Sequence, residues 1–272
     1  MHLTDLGTPA ASGRPEPLFP AVAFVTPWRR LQRLSLPPAT SCAVPAAGPD
    51  SEHGLLLLAG QVEVRTHAPD AALTAVLGPA PAWLVGQLGS EFLATSRGPN
   101  AALLVHLEVA ADAQRLRSAA VGSFAAAALA WRPAIHGGRG QVATRHVLPP
   151  SRFASALTFL DHARLGPDSS LGLHYHDALE ESFVVLGGHG YLTAGTHTRA
   201  VGPGGVVVKR ISFERTRSAS RGGGATLTMV VEGPRVPPTR VEFLRQDRDI
   251  DVAPQEFTVE RLGRIGLAPP PR

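Results

Sequence analysis

With 272 residues, 44% of them hydrophobic and 18% charged, the chain is globular rather than disordered and has room for one large domain or two small ones. Its formal charge is only +4 and Lys209 is the sole lysine among 26 basic residues, so the pI of about 10.1 reflects arginine rather than a nucleic-acid surface. No basic stripe interleaved with aromatics occurs, which excludes nucleic acid as a partner, and 28 glycines with 25 prolines favour many turns over a helix bundle.

Residues 1–23 read as an N-terminal extension. They carry Asp5 and Glu16 but no apolar signal-peptide segment, so a cytoplasmic protein is expected. Residues 24–110 form a first β-domain, with strands expected at Leu55–Leu58, Gln61–Val64 and Ala102–Val109. The lone cysteine, Cys42, excludes an intramolecular disulfide and a thiolate zinc cluster, and reads as a small buried hydrophobe. Residues 111–135 are expected to be a helical linker, because Ala110–Trp131 is alanine-rich with Asp112 near its start. The apolar run Ala119–Trp131 is broken at Gly122 and Ser123 and is too short to span a bilayer, so no membrane partner is expected. Residues 136–232 form a second β-domain, with strands expected at Ser182–Leu186, Val206–Val208 and Thr226–Val231, and 233–272 a C-terminal extension. Strand, Pro turn, strand, Gly turn and strand recur at an offset of about 125 to 129 residues, which points to a duplicated β-domain.

The chemistry concentrates between Gly166 and Gly190. His174 and His176 are two apart, so on a strand both imidazoles leave one face. Glu181 follows at the head of a run that turns at Gly187-Gly188, and a returning strand could bring its carboxylate beside them. Two neutral imidazoles and a carboxylate suit a divalent transition metal (Fe, Mn, Ni or Zn) with open positions for substrate. For this composition a His-x-His-x4-Glu pattern is expected by chance about 0.02 times per chain.

His174-Tyr175-His176, Glu181 and Gly188 resemble the first cupin motif, G-x5-H-x-H-x3,4-E-x6-G, apart from its leading glycine, which is displaced to Gly166 or Gly172. Val201-Gly202-Pro203-Gly204-Gly205-Val206-Val207 looks like the second motif, and His136–Val142 and Phe159–Pro167 are similar to duplicated bacterial cupins of natural-product pathways, some described as polyketide cyclases. The resemblance covers residues 136–232 well and 28–110 in outline. It implies an all-β fold of two jelly-roll cupin barrels joined by the short Ala-rich helix, with the metal in the second barrel, and a homodimer.

Two departures stand out. No histidine follows His197, so the fourth ligand of the family's second motif is missing. Glu214 is nearest its place, either as a substitute ligand or as an ion-pair partner of Arg215 or Arg217. In the first half Val44-Pro45-Ala46-Ala47-Gly48 stands where the ligand pair would be and His53 falls at the glutamate's place, so this half is expected to hold no metal.

Glu180 competes with Glu181 as ligand, and strand alternation turns only one of them toward the metal. Glu180, Asp161 and His162 are the candidate acids or bases, and on their strand Asp161 or His162 could face the interior. His189, between glycines, is expected at an exposed turn, Tyr175 in packing, and Arg210 as a cation for an anionic substrate. The expected function is a metal-dependent enzyme on a small organic substrate, such as an aromatic or polyketide-like one: a cyclase or isomerase by Lewis-acid catalysis, or an Fe(II) dioxygenase. The alternative is a non-catalytic cupin holding a small ligand or a structural metal.

Overall fold

A computed structural model describes residues 2–6, 12–20, 28–44, 48–67, 72–86, 89–112, 114–115, 118–155, 157–167, 169–171, 179–194, 197–209, 224–232 and 239–241. The first half contains β1 (His2–Asp5), β2 (Pro15–Pro17), β3 (Trp28–Leu36), β4 (Ser41–Val44), β5 (Ser51–Ala59), β6 (Val62–His67), β7 (Ala72–Leu77), β8 (Ala82–Val85), β9 (Glu91–Ser96), β10 (Ala102–Ala110) and β11 (Ala120–Ser123). The second half contains β12 (Ala130–Pro133), β13 (Gln141–Leu148), β14 (Leu157–Leu165), β15 (Leu179–Val184), β16 (Gly190–Ala194), β17 (His197–Val201), β18 (Gly205–Lys209), β19 (Gly224–Glu232) and β20 (Thr239–Val241). The fold is all-β, and the strands expected in both halves are present.

In the first barrel, a sheet ordered β11-β8-β5-β10-β3-β2 faces a sheet ordered β4-β9-β6-β7. The leucine run of β5 shows why it sits between two layers. Leu55 and Leu57 join Leu34, Val64, Phe92 and Leu104 in the core of the barrel, whereas Leu56 points to the opposite face. The second barrel repeats the plan, with β1-β18-β15-β19-β14-β13-β12 over β17-β16-β20 around Val142, Leu165, Phe183, Val185 and Leu192. The order β8-β5-β10-β3 thus recurs as β18-β15-β19-β14. The direction differs in one place, since β10 is antiparallel to both neighbours and β19 parallel to both of its own.

The two large sheets pack on each other. Leu31, Leu56, Val105 and Leu107 from the first meet Phe153, Leu157, Leu160, Val184 and Val206 from the second in one buried cluster. The N-terminal segment ties both barrels, β1 extending the second barrel's sheet beside β18 and β2 that of the first beside β3.

The expected helical linker is not formed. Among the described residues of 111–135 the chain makes β11, a 3-10 turn at Ala126–Ala128, β12 and the start of a second 3-10 turn at Ile135–Gly137. Interrupted at Gly122 and Ser123, the alanine run is too short for a stable isolated helix. β8 captures its first part instead, where Trp83 lies so closely over Gly122 that a Cβ there would come within 2.6 Å of the indole. Alanine content indicated helix, and an unpaired sheet edge decided for strand.

Candidate functional site

His174 and His176 lie in 172–178, and Tyr175 with them; Glu214 and Arg210 lie in 210–223. All five fall outside the described residues. Glu180 and Glu181 stand on β15, where Glu181 is opposite Lys209 on β18. Glu181 shares strand parity with Phe183 and Val185, which belong to the second barrel's core. Glu180 shares parity with Val184, which belongs to the cluster between the barrels.

The two acid–base candidates on β14 face opposite ways. Leu165, Ala163 and Asp161 alternate with Arg164, His162 and Leu160. Leu165 lies in the second barrel's core and Leu160 in the seam between barrels. Asp161 accepts a hydrogen bond from His146 Nδ1 at 2.5 Å. His162 is fully buried against the edge of Phe124, with no hydrogen-bond partner for either ring nitrogen among the described residues. Burial, with smaller contributions from Arg145 and Arg164, pushes its pKa down to about 4, so it stays neutral in the seam and outside the barrel interior. His189 is exposed, and Cys42 is buried with its thiol pKa raised by desolvation, as expected for both.

The first barrel contains a polar group that the sequence reading missed. His53 on β5 and His106 and Glu108 on β10 are fully buried on its interior face, with Glu108 directly opposite His53 in the register. His106 Nδ1 is 3.1 Å from Gln32 Oε1, and its Nε2 is 2.9 Å from His53 Nδ1. An amide oxygen only accepts, so His106 carries its proton on Nδ1 and receives the Nδ1–H of His53, leaving His53 Nε2 bare. The rings are near coplanar, at 14°, with centroids 5.2 Å apart, the geometry of a nearly straight hydrogen bond between the two nitrogens. Desolvation lowers the pKa of His53 to about 4 and of His106 to about 3. Glu108 accepts from Ser51 Oγ at 2.7 Å and lies 3.3 Å from Arg30 Nε.

This interior is filled. Phe92 stands edge-on to His53 with centroids 5.6 Å apart, and a Cβ on Gly86 would come 2.6 Å from the Phe92 ring and 2.7 Å from Ser90 Oγ. Gly86→Ala is therefore expected to destabilise the protein by about 1–3 kcal/mol through overpacking, read by urea denaturation; an unchanged midpoint would mean that Phe92 moves freely. The signal for His106 and Glu108 was present in Ala102–Val109. Alternation places both on the side of Leu104, and two polar residues inside an apolar strand need partners. Among the described residues, no three His, Cys, Asp or Glu side chains stand close enough to hold a metal ion.

No protein-family model matches the sequence, and no curated protein is similar to it. Several solved structures share its outline. A putative glyoxylate-induced protein from Pseudomonas aeruginosa aligns at 12% identity over 66% of this chain and 66% of its own length, with a TM-score of 0.46. An IolB-like protein from Salmonella typhimurium aligns at 15% identity over 56% of each chain, with a TM-score of 0.40. The cupin domain of Schizosaccharomyces pombe Cnp3 aligns at 14% identity over 35% of this chain and 59% of its own length, with a TM-score of 0.29. These structures are cupin-fold proteins, and each match spans less than two thirds of their own lengths.

Proposed function

We propose that the second barrel is a cupin metal site acting on a small organic substrate, with His174, His176 and Glu181 holding one divalent first-row ion. The observation that carries this reading is the parity of Glu181. The carboxylate that the motif singles out stands at the strand position shared by Phe183 and Val185 of the barrel core, while Glu180 stands at seam parity with Val184. Two imidazoles and a carboxylate are a donor set that borderline ions accept. Once bound, the ion supplies Lewis-acid polarisation of a carbonyl or enolate oxygen or, if it is iron, chemistry with dioxygen. Val142, Leu165, Phe183 and Leu192 give the interior an apolar lining, which suits an aromatic or polyketide-like molecule better than a highly charged one. Glu214 is the proposed substitute for the family's fourth histidine.

Elemental analysis of the purified chain, followed by titration with Fe(II), Mn(II), Ni(II) and Zn(II), tests the reading. About one equivalent is expected in the wild type, none in His174→Ala or His176→Ala, and most of it in Glu180→Ala. Glu181→Ala is expected to weaken retention at least about tenfold. Wild-type protein that takes up no transition metal overturns the reading, and a larger loss in Glu180→Ala than in Glu181→Ala overturns the choice of carboxylate. The filled interior of the first barrel favours a separate role for that half, as the scaffold on which the second is held.

A further inference from the structure

We propose that the rim of the seam between the barrels binds a small dianionic oxyanion, held by Arg145, His162 and Arg164 of the second barrel against Ser123 and Phe124 at the edge of the first. The site lies on the face of β14 turned away from the second barrel's interior and does not depend on the metal reading above. The β13–β14 register pairs Arg145 with His162 and Ala143 with Arg164. Arg145, His162 and Arg164 therefore share the face of Leu160, which belongs to the seam. The end of β11 stands across from them. Arg145 Nη2 donates to the Ser123 carbonyl at 3.4 Å, and the Phe124 ring meets His162 edge-on with centroids 5.6 Å apart.

Donors outnumber acceptors here. Both ring nitrogens of His162, which is 0% exposed, and Arg145 Nε are buried with no hydrogen-bond partner among the described residues. The same holds for Trp83 Nε1, which lies over Gly122 two residues from Phe124. Whichever tautomer His162 adopts, these three side chains present three unmet N–H groups, a burden that buried donors rarely carry. Charge is unbalanced in the same way. From 113 to 160 the sequence has six arginines and no acidic residue, and neither Arg145 nor Arg164 forms an ion pair among the described residues. Asp161, the nearest carboxylate in sequence, is turned to the other face and accepts from His146. Both guanidinium charges act on the His162 ring.

These two imbalances select the ligand. A neutral acceptor would take up the N–H groups and leave the half-buried Arg145 charge uncompensated. An oxyanion answers both, because its oxygens only accept and a guanidinium meets them side-on through its Nε edge. Two guanidinium groups match a dianion, a phosphate or sulfate group, better than a single carboxylate. Arg145 is half-buried and Arg164 exposed, so the anion enters from the rim as these two long side chains turn aside, and His162 forms the inner wall. Since Ser123 and Phe124 belong to the edge of the first sheet and the donors to the second, an anion held there also strengthens the seam.

Titration of the full-length 15N-labelled chain with inorganic phosphate, at constant ionic strength set by sodium chloride, tests the site by NMR. The ring signals of His162, identified by their loss in His162→Phe, are expected to shift saturably with half-saturation at or below about 1 mM, the affinity that three charge-assisted hydrogen bonds support. Acetate, with one charge, is expected to bind at least about tenfold more weakly. Followed by isothermal calorimetry, phosphate affinity is expected to fall at least about tenfold in Arg145→Gln and in His162→Phe. Arg164→Gln, a change at an exposed position that leaves folding intact, is expected to weaken it as well, whereas Arg139→Gln, which removes an exposed arginine of the same half, is expected to leave it unchanged. Phosphate is also expected to raise the urea midpoint of the wild type and not that of Arg145→Gln. No saturable shift of His162 up to about 10 mM phosphate, an equal loss in Arg139→Gln, or full affinity in Arg145→Gln overturns the proposal; acetate binding as tightly as phosphate overturns the choice of a dianion.

Discussion

Lowering the pH from about 6.5 toward 4.5 is expected to remove stability from this protein steeply, through its buried imidazoles. His53, His106 and His162 are buried, and desolvation lowers their pKa values to about 4, 3 and 4. Arg29 and Arg30 face His53, His53 and Arg30 face His106, and Arg145 and Arg164 face His162, all in the same direction. Below the ordinary histidine pKa of about 6.5, the unfolded chain takes up protons that the folded chain refuses, so stability falls as pH falls. Each such group contributes about 1.4 kcal/mol per pH unit, and three together up to about 4 kcal/mol per unit. Glu16, Asp50 and Glu63 are held below the usual carboxylate range by Arg33, Arg29 and Arg97, so these three add little to the slope above pH 4.5. Urea midpoints between pH 7.5 and 5 measure the slope. His162→Phe is expected to flatten it by about a third and to raise stability at pH 5.5, since that ring makes no hydrogen bond that the change would break. An unchanged slope in this variant would show that His162 is not among the titrating groups.

Replacing Glu52 by alanine is the second large effect. Glu52 sits on β5 next to His53 but on the opposite face, and its side chain crosses the seam. One carboxylate oxygen accepts the Ala154 N–H at 2.8 Å and the other the Ser155 N–H at 3.0 Å, at the head of β14. The site is closed to water, with Glu52 only 1% exposed. Removing the carboxylate strands two buried amides at roughly 1–3 kcal/mol each, so Glu52→Ala should lose about 2–6 kcal/mol. Glu52→Gln should lose less, because an amide oxygen still receives one of the two. Urea denaturation separates these cases. A loss below about 1 kcal/mol in Glu52→Ala would mean that apolar packing alone holds the barrels together.

The strands legible in the sequence were those whose side chains decide their own environment. Leu55–Leu58 and Ser182–Leu186 are apolar on both faces because each lies between a barrel core and the seam, and a continuous apolar run bounded by turns states this locally. The repeat at about 125 to 129 residues was equally readable, since it needs only the order of strands and turns. The segment 120–133 was not, because a neighbouring sheet edge outweighed its alanine propensity. Nothing local in the sequence ties His53 to His106 and Glu108. Their partnership spans 53 residues of chain and exists only once β5 and β10 are paired. For the proposed metal centre the situation is reversed, since its reading rests on spacing in the sequence and on the backbone position of Glu181.

By itself, then, the sequence determined an all-β chain of two similar halves and a His-x-His-x4-Glu pattern in the second, because alternation, turn residues and motif spacing are local properties. Only the tertiary structure decided which face each strand turns where: His162 to the seam and Asp161 to the interior, Glu52 across to its neighbour and His53 into a filled barrel. The physical reason is that a strand's period fixes which residues share a face, and only the packing of sheets determines what that face meets.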